Sequence, residues 1–149
     1  MARRDLDDIG DAFANINDQV GASGTWDDVM VVQGLLQLWW GFSSAAQRAV
    51  PTKPPVDGAA HKSNTILISE FQKEFMKRRK PQGFVNPATR FDLKSLSGST
   101  IYQLNVRANM ILAGTSSPHK DSVDFLVASF PKLAAPLGAP RQRPTVTAD

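Results

Sequence analysis

At 149 residues, with 42% hydrophobic and 21% charged side chains, the chain has the make-up of one globular domain rather than a disordered or fibrous protein. It has no cysteine, which excludes disulfides, thiolate metal sites and cysteine nucleophiles together. A net charge of +3 is small for a protein that relies on many phosphate contacts, so nucleic acid is not the expected partner.

The first residues, Met1-Ala2-Arg3-Arg4-Asp5, carry two arginines but no apolar stretch behind them, so a secretory signal is not expected. That makes the cytoplasm the default compartment, with delivery to periplasm or cell wall needing another route. No apolar run approaches the roughly 20 residues of a membrane span.

Residues 5–20 read as an amphipathic helix, because Leu6, Ile9, Phe13, Ile16 and Val20 recur at steps of three and four. Asp5, Asp7, Asp8 and Asp11 then crowd its positive end. Gly21 and Gly24 stop it, making residues 1–24 an N-terminal helical segment. A second helix starts at Thr25-Trp26-Asp27-Asp28, where an acid stands three residues after the cap. Val29, Val32, Leu36 and Trp39 line one of its faces; Gly41 and Phe42 mark its end, although residues 43–50 have the composition to continue helically. The stiff connector Pro51-Thr52-Lys53-Pro54-Pro55 follows.

A central helix is expected over 64–79, with Ile68, Phe71, Phe75 and Met76 as its stripe and Lys77, Arg78, Arg79 and Lys80 in its last turn. Leu93 and Leu96 anchor a short turn. A further helix over 100–112 turns Ile101, Leu104, Ala108 and Ile111 inward, and Gly114 ends it. Ser117-Pro118 reads as a cap and first-turn proline for a packing helix within 115–135. Residues 136–149 lack periodicity and read as a flexible tail. No stretch reads as a strand, so the expected class is all-α, a small helical bundle.

Two turns flank the central helix: Val56-Asp57-Gly58 before it and Gln82-Gly83-Phe84-Val85-Asn86-Pro87-Ala88-Thr89 after it. Each has a glycine followed six or seven residues later by a threonine, which suggests internal pseudo-symmetry. With Val32-Gln33-Gly34-Leu35-Leu36 ahead of them and Phe71-Gln72 between, the stretch 25–114 resembles the peptidoglycan-binding-like family of small helical domains. The wording of residues 24–36 looks like the versions found near phage and contractile secretion systems. The chain departs from the family where Gln82 replaces a second aspartate and His61-Lys62-Ser63 a common Gly-Pro pair.

The resemblance implies a three-helix core with added terminal helices, and Asp57, Gly58, Gly83, Asn86, Pro87 and Thr89 as turn-forming residues. It also implies a non-catalytic module for bacterial cell-wall peptidoglycan. The alternative is a protein-interaction adaptor, structural part or immunity component of a phage or secretion apparatus on the same fold. Trp40, Arg79, Tyr102 and Arg107 are the expected ligand contacts, in a groove between the central helix and the helix over 100–112. Trp39 and Trp40 point about 100° apart on a helix, so one is expected inside and the other at a surface, without the sequence saying which. His61 and His119 stand far apart in polar loops, and no hydrolase, phosphate-loop or zinc motif occurs, so no catalytic residue, metal or cofactor is expected. Oligomeric state is left open.

Overall fold

A computed structural model describes residues 1–138. The chain opens as a β-hairpin, and the molecule is mixed α/β, mostly helical, rather than all-α. Strand β1 (Arg3–Leu6) pairs antiparallel with β2 (Ala12–Asn15), Arg3 opposite Asn15 and Leu6 opposite Ala12. The reversal is built by Asp7. Its Oδ1 accepts the Ile9 and Asp11 N–H groups at 3.1 and 2.9 Å, while its own N–H reaches the Asp11 carbonyl. Such side-chain-to-backbone bonds give the chain an alternative to a helix, and here they outweigh the helical spacing of apolar residues. Ile9 accordingly lies exposed at the turn, while Phe13, Ile16 and Val20 are buried. Asp7, Asp8 and Asp11 therefore belong to the hairpin's turn and Asp5 to β1, not to a helix start.

Helix α1 (Trp26–Trp40) is the element the others surround. Eleven of its fifteen residues are buried, so its apolar character runs all round instead of along one stripe. Asp28 is fully buried but well satisfied, accepting the N–H groups of Asn17 and Asp18 and the Thr25 hydroxyl, each at 3.0 Å. The acid expected to close a capping box thus ties the hairpin's exit strand to the helix instead. Asp27 accepts the Ala2 N–H at 2.6 Å. Gly34 lets the C-terminal helix approach closely, since a Cβ there would stand 2.6 Å from Leu126 Cδ2.

The chain breaks at Gly41-Phe42, as expected, and residues 44–49 form a separate helix, α2 (Ser44–Ala49), capped by the Ser43 hydroxyl. Helix α3 (Lys62–Glu74) is shorter than expected. Lys77 takes a left-handed φ of 59°, and the Arg78 N–H returns to the Gln72 carbonyl, which sends Lys77 to Lys80 out of the helix. After a single turn, α4 (Leu93–Leu96), helix α5 (Thr100–Gly114) runs close to its expected span, with Ser99 as cap. Helix α6 (Ser122–Ser129) is capped by Asp121, not by Ser117. A 3-10 turn, Pro131–Leu133, leads into α7 (Ala134–Leu137). Leu137 is buried, so the ordered chain extends past residue 136; the remainder of the expected tail, 139–149, lies outside the described residues.

The hairpin is held by polar side chains as well as by Phe13. Asn105, buried on α5, donates to the Ala14 carbonyl and accepts the Ala14 N–H, both at 2.9 Å, and so acts as a third strand's worth of pairing on β2. Asn15 makes the same two-way exchange with the backbone of Ala88. A two-stranded hairpin is marginal by itself, and these bonds tie it to the helical body.

Candidate functional site

The two turns are built alike. Gln33, buried on α1, accepts the N–H groups of Asp57 and Gly58 at 3.0 and 2.8 Å and donates to the Ala59 carbonyl at 2.8 Å and to Asn64 Oδ1 at 3.2 Å. Gln72, buried on α3, accepts the N–H groups of Gln82 and Gly83 at 2.7 and 3.2 Å and donates to the Phe84 carbonyl at 2.9 Å and to Thr100 Oγ1 at 3.1 Å. In each case a helix amide grips the two N–H groups at the glycine, the carbonyl just after it, and a polar side chain in the first turn of a later helix, α3 for Asn64 and α5 for Thr100. Both glycines sit at φ 79°, a conformation in which other residues are strained. The glutamines, not the threonines, carry the internal repeat.

The first turn opens on an apolar face. Trp26, Met30, Gln33 and Gln37 follow one another at helical spacing along α1, and this stripe carries the connector: Gln37 donates to the Pro54 carbonyl at 2.8 Å. Met30, Val56, Phe130 and Pro131 line a shallow cavity there, with Trp26, 47% exposed, beside it. Asp57 and Lys132 flank it. His61 Nε2 lies 2.7 Å from Asp57 Oδ2, and this bond, helped by the Ala59 N–H, holds the Asp57 carboxyl below its ordinary range.

The second turn divides two cavities. On one side is an open groove of about 650 Å³ between residues 19–23 and α3, with Gln19, Ser23, Thr65, Ser69 and Gln82 offering hydrogen-bonding groups over Ile66 and Phe84. On the other is a smaller cavity of about 280 Å³ containing Arg78 and Arg90. Gln82 lines both. Of the residues named for turn formation, Asn86, Pro87 and Thr89 line the smaller cavity, and Asn86 Oδ1 also accepts from Gln19 Nε2 at 2.9 Å.

The four expected contacts lie apart. Trp40 is half-buried and its Nε1 donates to the Val50 carbonyl at 2.7 Å, while Trp39 is buried edge-on to Phe71. Tyr102 faces the hairpin, donating to Asp7 Oδ2 at 2.8 Å and meeting Phe13 edge-on. Arg107 sits over the Phe75 ring, 5.8 Å from its centroid, and lines a cavity of about 360 Å³ with Arg48, Glu74 and Lys77. Arg79 is exposed and lines none of these cavities. The exposed indole is Trp26. The signal for it lay in the glutamines: polar residues at 33 and 37 share its helical stripe and mark that face as one that holds a loop.

Burial, and then the Asp7 carboxylate, push the Tyr102 phenol up to about 12. The fold favours the protonated phenol. Its contribution to stability is therefore complete below the ordinary value of 10.0 and is lost as pH rises through about 12. Tyr102 is the only tyrosine, so the absorbance titration of tyrosinate reads this one group. We expect its midpoint near 12, moving toward 10.0 in Asp7→Asn, where the negative neighbour is gone.

Among the described residues, no three His, Asp or Glu side chains gather closely enough to hold a metal ion, and no helix is long and apolar enough to cross a membrane. No protein-family model, curated protein or solved structure matches the chain.

Proposed function

We propose that the protein is a non-catalytic binding module for bacterial cell-wall peptidoglycan, with the groove beside the second clasped turn as its main contact surface. The lining of that groove carries the reading. Sugars present hydroxyl and amide edges together with apolar C–H faces, and the groove offers hydroxyls and side-chain amides above Ile66 and Phe84. Its open form suits a stretch of polymer. The resemblance of residues 25–114 to peptidoglycan-binding-like domains supports the same ligand class, since Gln33 and Gln72 give its two turns a common physical role.

Insoluble peptidoglycan incubated with the protein at low salt is expected to deplete it from the supernatant. Ile66, 38% exposed, is a surface position where a charge leaves the fold intact, so Ile66→Glu is expected to weaken this binding about tenfold while keeping the thermal midpoint. Complete recovery of the unaltered protein in the supernatant rejects the reading.

A second reading, an interaction component of a phage or contractile secretion apparatus, is favoured by Trp26 beside Met30, Val56, Phe130 and Pro131, the kind of aromatic anchor that dominates protein interfaces. It predicts a defined complex that Trp26→Ala dissolves, while wall binding through the groove is unaffected by that substitution.

A further inference from the structure

We propose that the cavity holding Arg78 and Arg90 is a carboxylate subsite, which takes the free carboxylate of a wall stem peptide whose glycan or neighbouring residues lie in the adjoining groove. This rests on the wall-binding reading and adds the part of the polymer that is recognised.

The chemistry of the cavity is one-sided. Two arginines line it together with the uncharged polar residues Gln82, Asn86, Thr89, Ser95, Ser99 and Thr100, and none of its lining residues is acidic. Arg78 is held in place from both ends of its fork: Nη1 donates to Gln82 Oε1 at 2.9 Å and Nη2 to the Gly98 carbonyl at 2.7 Å. That uses two of the five guanidinium N–H donors and leaves three. Arg90 acts on Asp92 through its charge, and Asp92 Oδ2 is taken by the Ser95 N–H and hydroxyl, both at 2.9 Å. The ion pairs among the described residues are Arg3 with Asp5 and His61 with Asp57, so neither arginine of the cavity is neutralised at contact distance. A planar carboxylate matches a guanidinium fork with two parallel hydrogen bonds. The start of α5, at Ser99 and Thr100, adds a field of the same sign.

The groove decides between carboxylate and phosphate. It shares Gln82 with the cavity and also contains Glu70. A fixed acid beside the path disfavours a polyphosphate chain but accepts a stem peptide, which carries amino groups as well as carboxylates.

The test is an amide-resonance titration of the isotope-labelled protein with N-acetyl-D-alanyl-D-alanine, with its C-terminal amide, and with inorganic phosphate. The acid is expected to shift the Thr89, Gly98 and Ser99 resonances, the amide to leave them in place, and phosphate to bind more weakly than the acid. Arg90→Gln, at an exposed position, is expected to weaken the acid about tenfold, and Arg78→Gln with Arg90→Gln to remove the shifts. Equal shifts by acid and amide, or tighter binding of phosphate, overturn the carboxylate assignment. The wall pull-down separates the two levels. Wall binding unchanged in the double variant sinks the subsite and spares the groove, whereas acid-specific shifts in a protein that ignores the wall sink the groove reading and leave an anion site.

Discussion

Replacing Gln72 with leucine is expected to lower the unfolding free energy by about 3 kcal/mol, and replacing Gln33 in the same way by about 2–3 kcal/mol. Both side chains are buried, and leucine fills a similar volume, so the loss is one of hydrogen bonding more than of packing. In Gln72→Leu, the N–H groups of Gln82 and Gly83, the Phe84 carbonyl and the buried Thr100 hydroxyl lose their partner together. Gln33→Leu frees as many groups, but Asp57 and Ala59 are exposed enough for water to replace the glutamine, and Asn64 Oδ1 keeps the His61 N–H. Buried Gly58 bears the main cost there. Chemical denaturation of the two variants checks the order as well as the size of the effects. Glutamate at either position is the informative control: it keeps an acceptor oxygen for the turn N–H groups but sets a second, charged acceptor against the following carbonyl, so it is expected to cost at least as much as leucine. Midpoints within about 0.5 kcal/mol of the parent for both leucine variants would falsify the clasp as the support of the turns. Because the second turn walls the groove, Gln72→Leu is also expected to reduce wall binding where Gln33→Leu does not.

The second large effect concerns the hairpin. Asn105→Leu leaves the Ala14 N–H and carbonyl facing an apolar side chain and strips the Ser122 hydroxyl of its acceptor, at a cost of about 3 kcal/mol. The loss is expected to be local before it is global. Amide exchange at Ala12 to Asn15 should accelerate by orders of magnitude more than exchange within α1, since β2 then keeps only Phe13 and Asn15 as its own ties to the helices, beside the bonds at the hairpin's ends. Uniform acceleration throughout the chain would instead mean that hairpin and helices open as one unit.

The longer helices were legible because their signals are redundant. Trp26–Trp40 and Thr100–Gly114 combine caps, apolar spacing and glycine or proline stops, and each starts where its cap residue stands. The hairpin was not legible from spacing because Leu6, Phe13 and Val20 satisfy a helical period by coincidence. The contrary sign, Asp7 followed by Gly10, is a turn whose strength comes from bonds between one carboxylate and nearby backbone. Asn15 and Asn105 are polar residues at apolar-looking positions, and their backbone partners lie 73 and 91 residues away in sequence. No local window contains that information. The site divides the same way. The two glycine turns could be read from the chain, but the surfaces on which they open depend on where residues 19–23 and 86–90 fold back. Trp40, Tyr102 and Arg107, chosen by residue type, lie against Val50, Asp7 and Phe75 and line neither cavity of the second turn.

The way Gln72 reaches out from its helix separates shape from recognition. The corner at Gln82 to Phe84 takes its path from an amide anchored in the core, so it makes little demand on the side chains that follow it. Asn86, Thr89 and Arg90 can therefore be exchanged without redrawing the corner that presents them. Under the proposed wall-binding function, such an arrangement lets ligand preference drift, or be engineered, by substituting three outward-facing positions while the folding information stays in the glutamine of the core.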